Sequence, residues 1–444
     1  MSDGTNTIAA YAADISGNLS NTNTVSLVNV ASTILTVNTS GSGTVSPNYN
    51  GALLKIGNSF VITAKAGPSF VFSNWVDGAG TVLTNRTTLK FTMQSNLVLT
   101  ANFIPNPFLP VAGNFAGLFY DTNNHGVTVS NAGYFTAKVT SGGGFTAKLQ
   151  QGARSYSLSG VFSLGGEWGT NSIKGATNLG AQLHLDLSGG NQITGQISNS
   201  VWTAEIVANR SVYSKTSPAP QAGQYTLVIP GSDDPANLPG GHGAAAVKVS
   251  STGTVSVNGI LGDGTVLTES TFVSQQGQWP LYAKLYSSKG ILIGWMTFTN
   301  DTASDLAGVI SWIKPGITGT KIYPNGFNWP YDSETNNAFG SVFTNRTPLL
   351  SWTNGVAILE NGNLAQSISN GLVIGTGGKV TGTNKLSMTI TTTGIKAGLF
   401  KGSVINPASG KAVPVNGALL QKQDAGFGSF PGTNQTGSVL LEAN

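Results

Sequence analysis

The sequence predicts an all-β protein built of antiparallel strands and short turns. Three observations carry that expectation. Only 9% of the 444 residues are charged, against roughly 25% in an average globular chain, so the helix formers Glu, Lys and Arg are scarce. Glycine occurs 59 times and falls in the gaps between runs of alternating apolar and polar residues, as strands joined by tight turns require. Most of the chain also repeats itself at a spacing of about 110 residues. The expected architecture is small β-sandwich-like modules followed by one large β-meander domain. Barrel or sandwich units are expected there, with a β-propeller as the alternative.

Composition also bounds function. Apolar residues make up 39%, with 8 Trp, 11 Tyr and 19 Phe, so a real core can be buried. The net charge is +4 without a Lys/Arg run, so no nucleic-acid partner is expected. No apolar stretch reaches the roughly 18 residues of a membrane span. Cysteine is absent, which removes disulfides, thiolate metal sites and Cys nucleophiles. G-x-S-x-G and phosphate-loop motifs are missing too.

Residues 1–31 contain two strand-like runs around a turn at Ser16-Gly17-Asn18. The set Ala12, Asp14, Gly17, Asn18 and Ser20 is similar to the closing turn of bacterial immunoglobulin-like modules. The stretch therefore reads as the last strands of a truncated module. The chain is expected to be a piece of a longer secreted or cell-surface protein, with its leader upstream.

Residues 34–104 resemble the bacterial repeat of internalin B-repeat type. "LTVNTSGSGTVSPN" reads as strand, turn and strand, and "LKFTMQSNLVLTANF" as a closing hairpin. Between them Phe70, Phe72 and Trp75 follow that family's aromatic pattern. So small a sheet needs large side chains for a core. The resemblance implies a spacer or adhesion module without catalysis. "IPNPFLP" then marks a Pro-rich linker over 105–111.

The large domain, 112–444, divides into copies at about 112–221, 222–330 and 331–444. Gly133, Lys138, Val139, Gly143, Gly152 and Phe162 fall on Gly243, Lys248, Val249, Gly253, Gly262 and Phe272 without a gap. A third copy is fainter. "VAILENGNLAQ" from Val356 echoes "VKVSSTGTVSV" from Val247, and "AGLFKG" near the end echoes "AGLFYD" from Ala116. Strands are expected in the second copy at 243–250, 254–260, 265–273, 279–286, 290–299 and 306–313. Turns fall at Ser251–Gly253, Gly262–Gly264, Gln275–Gly277 and Ser287–Gly290, with glycine supplying positive φ. The domain resembles uncharacterised C-terminal regions of modular secreted proteins from environmental bacteria. That resemblance implies context and no mechanism.

Three candidate sites emerge. Asp233, Asp234 and His242 share one Pro/Gly-rich loop, and Asp121 and His125 occupy a related position in the first copy. Carboxylates and imidazoles suit a divalent metal ion; the competing reading is a long turn with Asp side chains bonding their own backbone. The acids Glu167, Asp263, Glu269, Asp332 and Glu334 lie near aromatics or strand ends. Asp263, between two glycines, reads as structural, which leaves Glu167, Asp332 and Glu334 as catalytic candidates for a glycosidic bond. The aromatics from 279 to 331 are the densest feature. Alternation puts Trp279, Leu281, Ala283 and Leu285 on a core face and Tyr282 and Tyr286 on the other. Trp312, Tyr323, Phe327, Trp329 and Tyr331 read as loop aromatics suited to sugar rings. The leading reading is adhesion or binding of a polysaccharide or cell-surface glycan. The alternatives are a hydrolase on an all-β scaffold, metal-dependent or glycosidic, and a spacer without a ligand.

Overall fold

The computed structural model describes residues 4–121, 126–299, 301–330 and 337–444. It forms two compact units, Met1–Leu109 and Pro110–Asn444. Among the described residues the regular elements are β-strands and two single-turn 3-10 helices.

The first unit begins with an antiparallel hairpin, Gly4–Ala10 against Asn23–Asn29. Its turn is built by Asp14, whose Oδ1 accepts the N–H groups of Ser16 and Asn18. The Asn18 side-chain amide, which donates to Oδ2 at 2.8 Å, and then those N–H groups hold the Asp14 carboxyl below its ordinary range. The rest of the unit is a small two-layer β module. One sheet centres on Val98–Pro105, and the other on Ser59–Ala66. Trp75 is fully buried between them among Leu35, Ile62, Met93 and Leu99, and its Nε1–H donates to the Thr87 carbonyl at 3.0 Å. Phe72 packs against both Trp75 and Phe103.

The second unit contains three antiparallel sheets, one after another: eight strands, then nine of which eight follow one path, then a closed barrel of eight. Short glycine turns permit only antiparallel neighbours, and eight twisted strands curl until the first meets the last. In the first sheet Gly113–Tyr120 pairs with Thr203–Arg210. In the second Gly223–Ile229 pairs with Asn337–Val342. Each of these two sheets keeps a seam between its fourth and fifth strands. In the second sheet the seam lies between Val266–Phe272 and Gln278–Leu285. The third sheet closes completely, through Asn354–Asn361 and Thr436–Ala443. The units are therefore barrels, not propeller blades.

The second copy has strands at Gly243–Val249, Thr254–Ile260, Val266–Phe272, Gln278–Leu285, Gly290–Phe298 and Leu306–Lys314, within a residue or so of the sequence expectation. Gly253, Gly264 and Gly277 take positive φ as the turns require. The fourth turn departs from expectation. There Tyr286, Ser287 and Ser288 adopt the left-handed region, while Gly290 lies in a strand where a side chain would strike the Ile313 carbonyl. Nor do the late echoes mark equivalent strands. "AGLFYD" lies in the first strand of the first barrel, and "AGLFKG" enters the fifth strand of the third.

Inward residues fill each barrel. Val247, Val257, Trp279, Leu281, Leu292 and Ile310 belong to one core in the second, and Leu372, Val380, Phe400 and Leu441 to another in the third. Outward apolar residues join the barrels. Leu118, Val127 and Ala132 of the first meet Tyr282, Ile291 and Ile293 of the second. Val228 and Ala244 of the second meet Ala418 and Leu420 of the third.

Candidate functional site

The aromatic candidates are mostly core. Trp312, Tyr323, Phe327 and Trp329 are 1%, 4%, 8% and 2% exposed, so they present no face to a sugar. The reason is a short strand that the loop-like text concealed. Phe327–Trp329 pairs with the end of Leu306–Lys314 and sets Trp329 opposite Trp312. Phe327 then packs edge-on against Trp312 at 5.0 Å and against Tyr323 at 5.5 Å. Tyr286 is equally engaged: its hydroxyl donates to Asp263 Oδ2 at 2.7 Å and accepts from Trp312 Nε1 at 3.1 Å. Lys314 Nζ completes this network, 2.9 Å from Asp263 Oδ2. Burial and the neighbouring carboxylate push the Tyr286 phenol far up. Tyr331 lies outside the described residues.

The Asp233–His242 loop is a strap and not a metal cradle. Asp233 and Asp234 are exposed, and Asp234 accepts from Asn237 Nδ2 at 2.8 Å. The loop is anchored by the buried Tyr323 hydroxyl, which accepts from the N–H groups of Gly240 and Thr436. His242 Nδ1 accepts the Gly231 N–H at 2.9 Å, and its ring meets Phe427 edge-on. Burial lowers the imidazole to about 4. Asp121 is buried, and His125 lies outside the described residues. Among the described residues, no three His, Cys, Asp or Glu side chains stand close enough to hold one ion.

Of the acids, Asp332 and Glu334 lie outside the described residues. Glu167 is an exposed residue whose Oε1 stands 2.6 Å from His184 Nδ1.

The structure brings together a different set. A cleft of about 260 Å³ lies between the first and second barrels. The second barrel contributes its seam. Leu267, Glu269 and Thr271 follow one another on the inward side of the strand, with Glu269 opposite the core residue Val257. With no strand hydrogen-bonded beyond this edge, the Glu269 carboxyl lines the cleft in place of filling the barrel. Across the seam stand Tyr282, Lys284 and Trp279.

The first barrel covers this opening with the outward residues of two paired strands. Tyr134 and Gln150 are register partners, as are Thr136 and Lys148. The Tyr134 and Tyr282 rings stack at 5.9 Å with only 8° between their planes. Tyr134 Oη and Thr271 Oγ1 are 3.0 Å apart, and Gly152 N–H donates to the Tyr282 hydroxyl at 3.2 Å. The wall is thus fixed before any ligand arrives.

One property marks the cleft chemically: burial raises Glu269 to about 7, and Lys284 opposes that rise only in part. Trp279 is a core residue, 0% exposed; among the described residues its Nε1–H has no hydrogen-bond partner, which costs the second barrel roughly 1–3 kcal/mol.

Sequence reasoning weighed Glu269 among the acids but did not carry it into a site. The signal was parity: Leu267, Thr271 and Val273 share its side of the strand, so a Glu there interrupts an inward row. Tyr134, Lys148 and the cleft itself had no such signal.

Residues 33–107 match the family described as the divergent InlB B-repeat domain, so the first unit carries a bacterial repeat module. No curated protein matches the chain. Solved structures that align with it include a DUF3598-family protein of unknown function from Nostoc punctiforme, at 9% identity over 76% of this chain and 96% of that one, with a TM-score of 0.17. An endo-1,5-alpha-L-arabinanase from Thermotoga petrophila aligns at 9% identity over 70% and 81%, TM-score 0.19. Transferrin binding protein B from Neisseria meningitidis aligns at 11% over 99% and 84%, TM-score 0.17. Likeness at this level carries no functional argument. Among the described residues no helix is long and apolar enough to cross a membrane.

Proposed function

We propose that this chain is part of a bacterial surface protein that binds a saccharide without cleaving it, in the cleft between the first and second barrels. The observation that carries the reading is a cleft walled by the stacked Tyr134 and Tyr282 rings. Its lining offers what sugars use: aromatic rings, hydroxyls of Thr136, Ser270 and Thr271, the Gln150 amide and the Glu269 carboxyl group. Glycoside hydrolysis takes a pair of carboxyl groups about 5–10 Å apart, and among the described residues this lining supplies Glu269 alone. A bacterial repeat module in the same chain fits a surface or binding role.

Titration calorimetry against a panel of neutral and charged polysaccharides tests the reading, with Thr136→Trp as control. Thr136 is a half-buried outward residue of the wall, so an indole there fills the cleft from a strand position that tolerates it. Binding to at least one polysaccharide, lost in the variant, is expected. No binding to any of them, or full binding in the variant, overturns the assignment.

A further inference from the structure

The cleft continues beyond its own walls. A groove of about 580 Å³ shares Thr136, Lys148 and Thr271 with it and adds Lys138, Thr146 and Ser211. Cleft and groove together form one track along the outer face of the first barrel. Its charges are uneven. Lys148 stands on one wall of the cleft and Lys284 on the other, and Lys138 lies diagonally beyond Lys148, one register step along the paired strands. Diagonal neighbours of this kind are roughly 7–8 Å apart. All three lysines are exposed, and among the described residues none forms an ion pair. Among the described residues the groove lining contains no acid.

Among the described residues Glu269 is the one negative group of the track. Its desolvation keeps a share of it protonated near neutral pH, so it offsets less than one lysine charge there and can donate a hydrogen bond. The chain as a whole has only 22 basic residues and a net charge of +4. Three unpaired lysines along one track are therefore a local positive field and not a share of a general one.

We propose that the saccharide is an anionic polysaccharide, whose acid groups meet Lys148 and Lys284 across the cleft and Lys138 along the groove. This rests on the saccharide reading above and narrows its ligand class. The Thr136 and Thr271 hydroxyls and the Gln150 amide bond the sugar, while the lysines select its charge. Charge-assisted bonds contribute more than neutral ones, so the lysines decide between two chains of the same backbone.

The experiment is calorimetric titration of the full chain with four polymers: polygalacturonate, the same polymer fully methyl-esterified, dextran sulfate, and poly-L-glutamate. Polygalacturonate, dextran sulfate or both bind, and which of them binds identifies the acid group. The methyl ester binds at least about tenfold more weakly than the acid form. A Lys148→Gln/Lys284→Gln double variant loses about tenfold in affinity for the anionic chain. It keeps its tryptophan emission and cooperative unfolding, because both side chains are exposed. Equal binding of ester and acid overturns the anionic proposal and leaves the saccharide reading standing. Failure of every polysaccharide overturns both. Poly-L-glutamate binding as tightly as the anionic polysaccharide, or a double variant that binds undiminished, overturns the proposal as well.

Discussion

Replacing Glu269 by glutamine isolates the electrostatic cost of the cleft. The folded carboxyl is raised from 4.5 to about 7 by burial. Between those values the folded chain holds a proton that the unfolded chain has released. Stability therefore falls as pH rises through the window, and the full cost is present above about 7. The whole gap corresponds to about 3 kcal/mol at roughly 1.4 kcal/mol per unit. Glu269 is only half-buried, so water screens it and about 1–2 kcal/mol remains. Charged or titratable groups face it from each packed element: Lys284 and Tyr282 beyond the seam, Tyr134 and Lys148 from the first barrel. The tyrosines stay neutral throughout, with Tyr282 pushed up to about 12. Glu269→Gln keeps the shape and removes the charge. The expected result is a melting temperature a few degrees higher above pH 7, shrinking to nothing below about pH 4.5. Tryptophan emission is a suitable probe, because Trp279, Trp295, Trp312 and Trp329 all belong to the second barrel. An equal shift at both ends of the pH range, or none at either, refutes the reasoning.

Other parts of the structure give separate expectations. Trp312→Ala or Trp329→Ala removes a buried ring and costs about 3–5 kcal/mol in denaturant unfolding; a change under 1 kcal/mol would mean these rings are not core. Asp263→Asn strands the buried Lys314 ammonium and costs about 3–5 kcal/mol. Combining it with Lys314→Met recovers much of that loss, and purely additive effects would rule out the ion pair. His242 is held to about 4 by burial, so the folded state resists a proton that the unfolded state takes near 6.5. Stability is therefore lost as pH falls through that window. His242→Gln should flatten that acid slope in melting curves, and an unchanged slope would place the acid sensitivity elsewhere.

Particular residues show how far the sequence could be read. The strands of the second barrel were legible because alternation and turn glycines are local. Gly253, Gly264 and Gly277 each sit where the backbone turns through positive φ, a requirement written into two or three residues. The fourth turn was not legible. Tyr286 holds a left-handed backbone at a position tied down by Asp263, Trp312 and Lys314, and those partners come from other strands. Trp329 was misread for a related reason: its strand is three residues long and exists only by pairing with Leu306–Lys314.

By itself the sequence determined the all-β class, the internal repeat, the inward face of the strand that carries Trp279, Leu281, Ala283 and Leu285, and the aromatic centre of the bacterial repeat module. Those follow from the period of the strand and from which residues tolerate a turn. Only the tertiary structure decided what the outward faces meet. Alternation places Tyr282 outward, but whether outward means water or another barrel depends on how two closed surfaces pack. Tyr134 and Tyr282 meet because the first barrel covers the seam of the second. The seam exists because curvature brought the first and last strands together and left the fourth and fifth unpaired. Neither event is encoded in any window short enough to read, and the cleft, its buried carboxyl and its lysines are products of both.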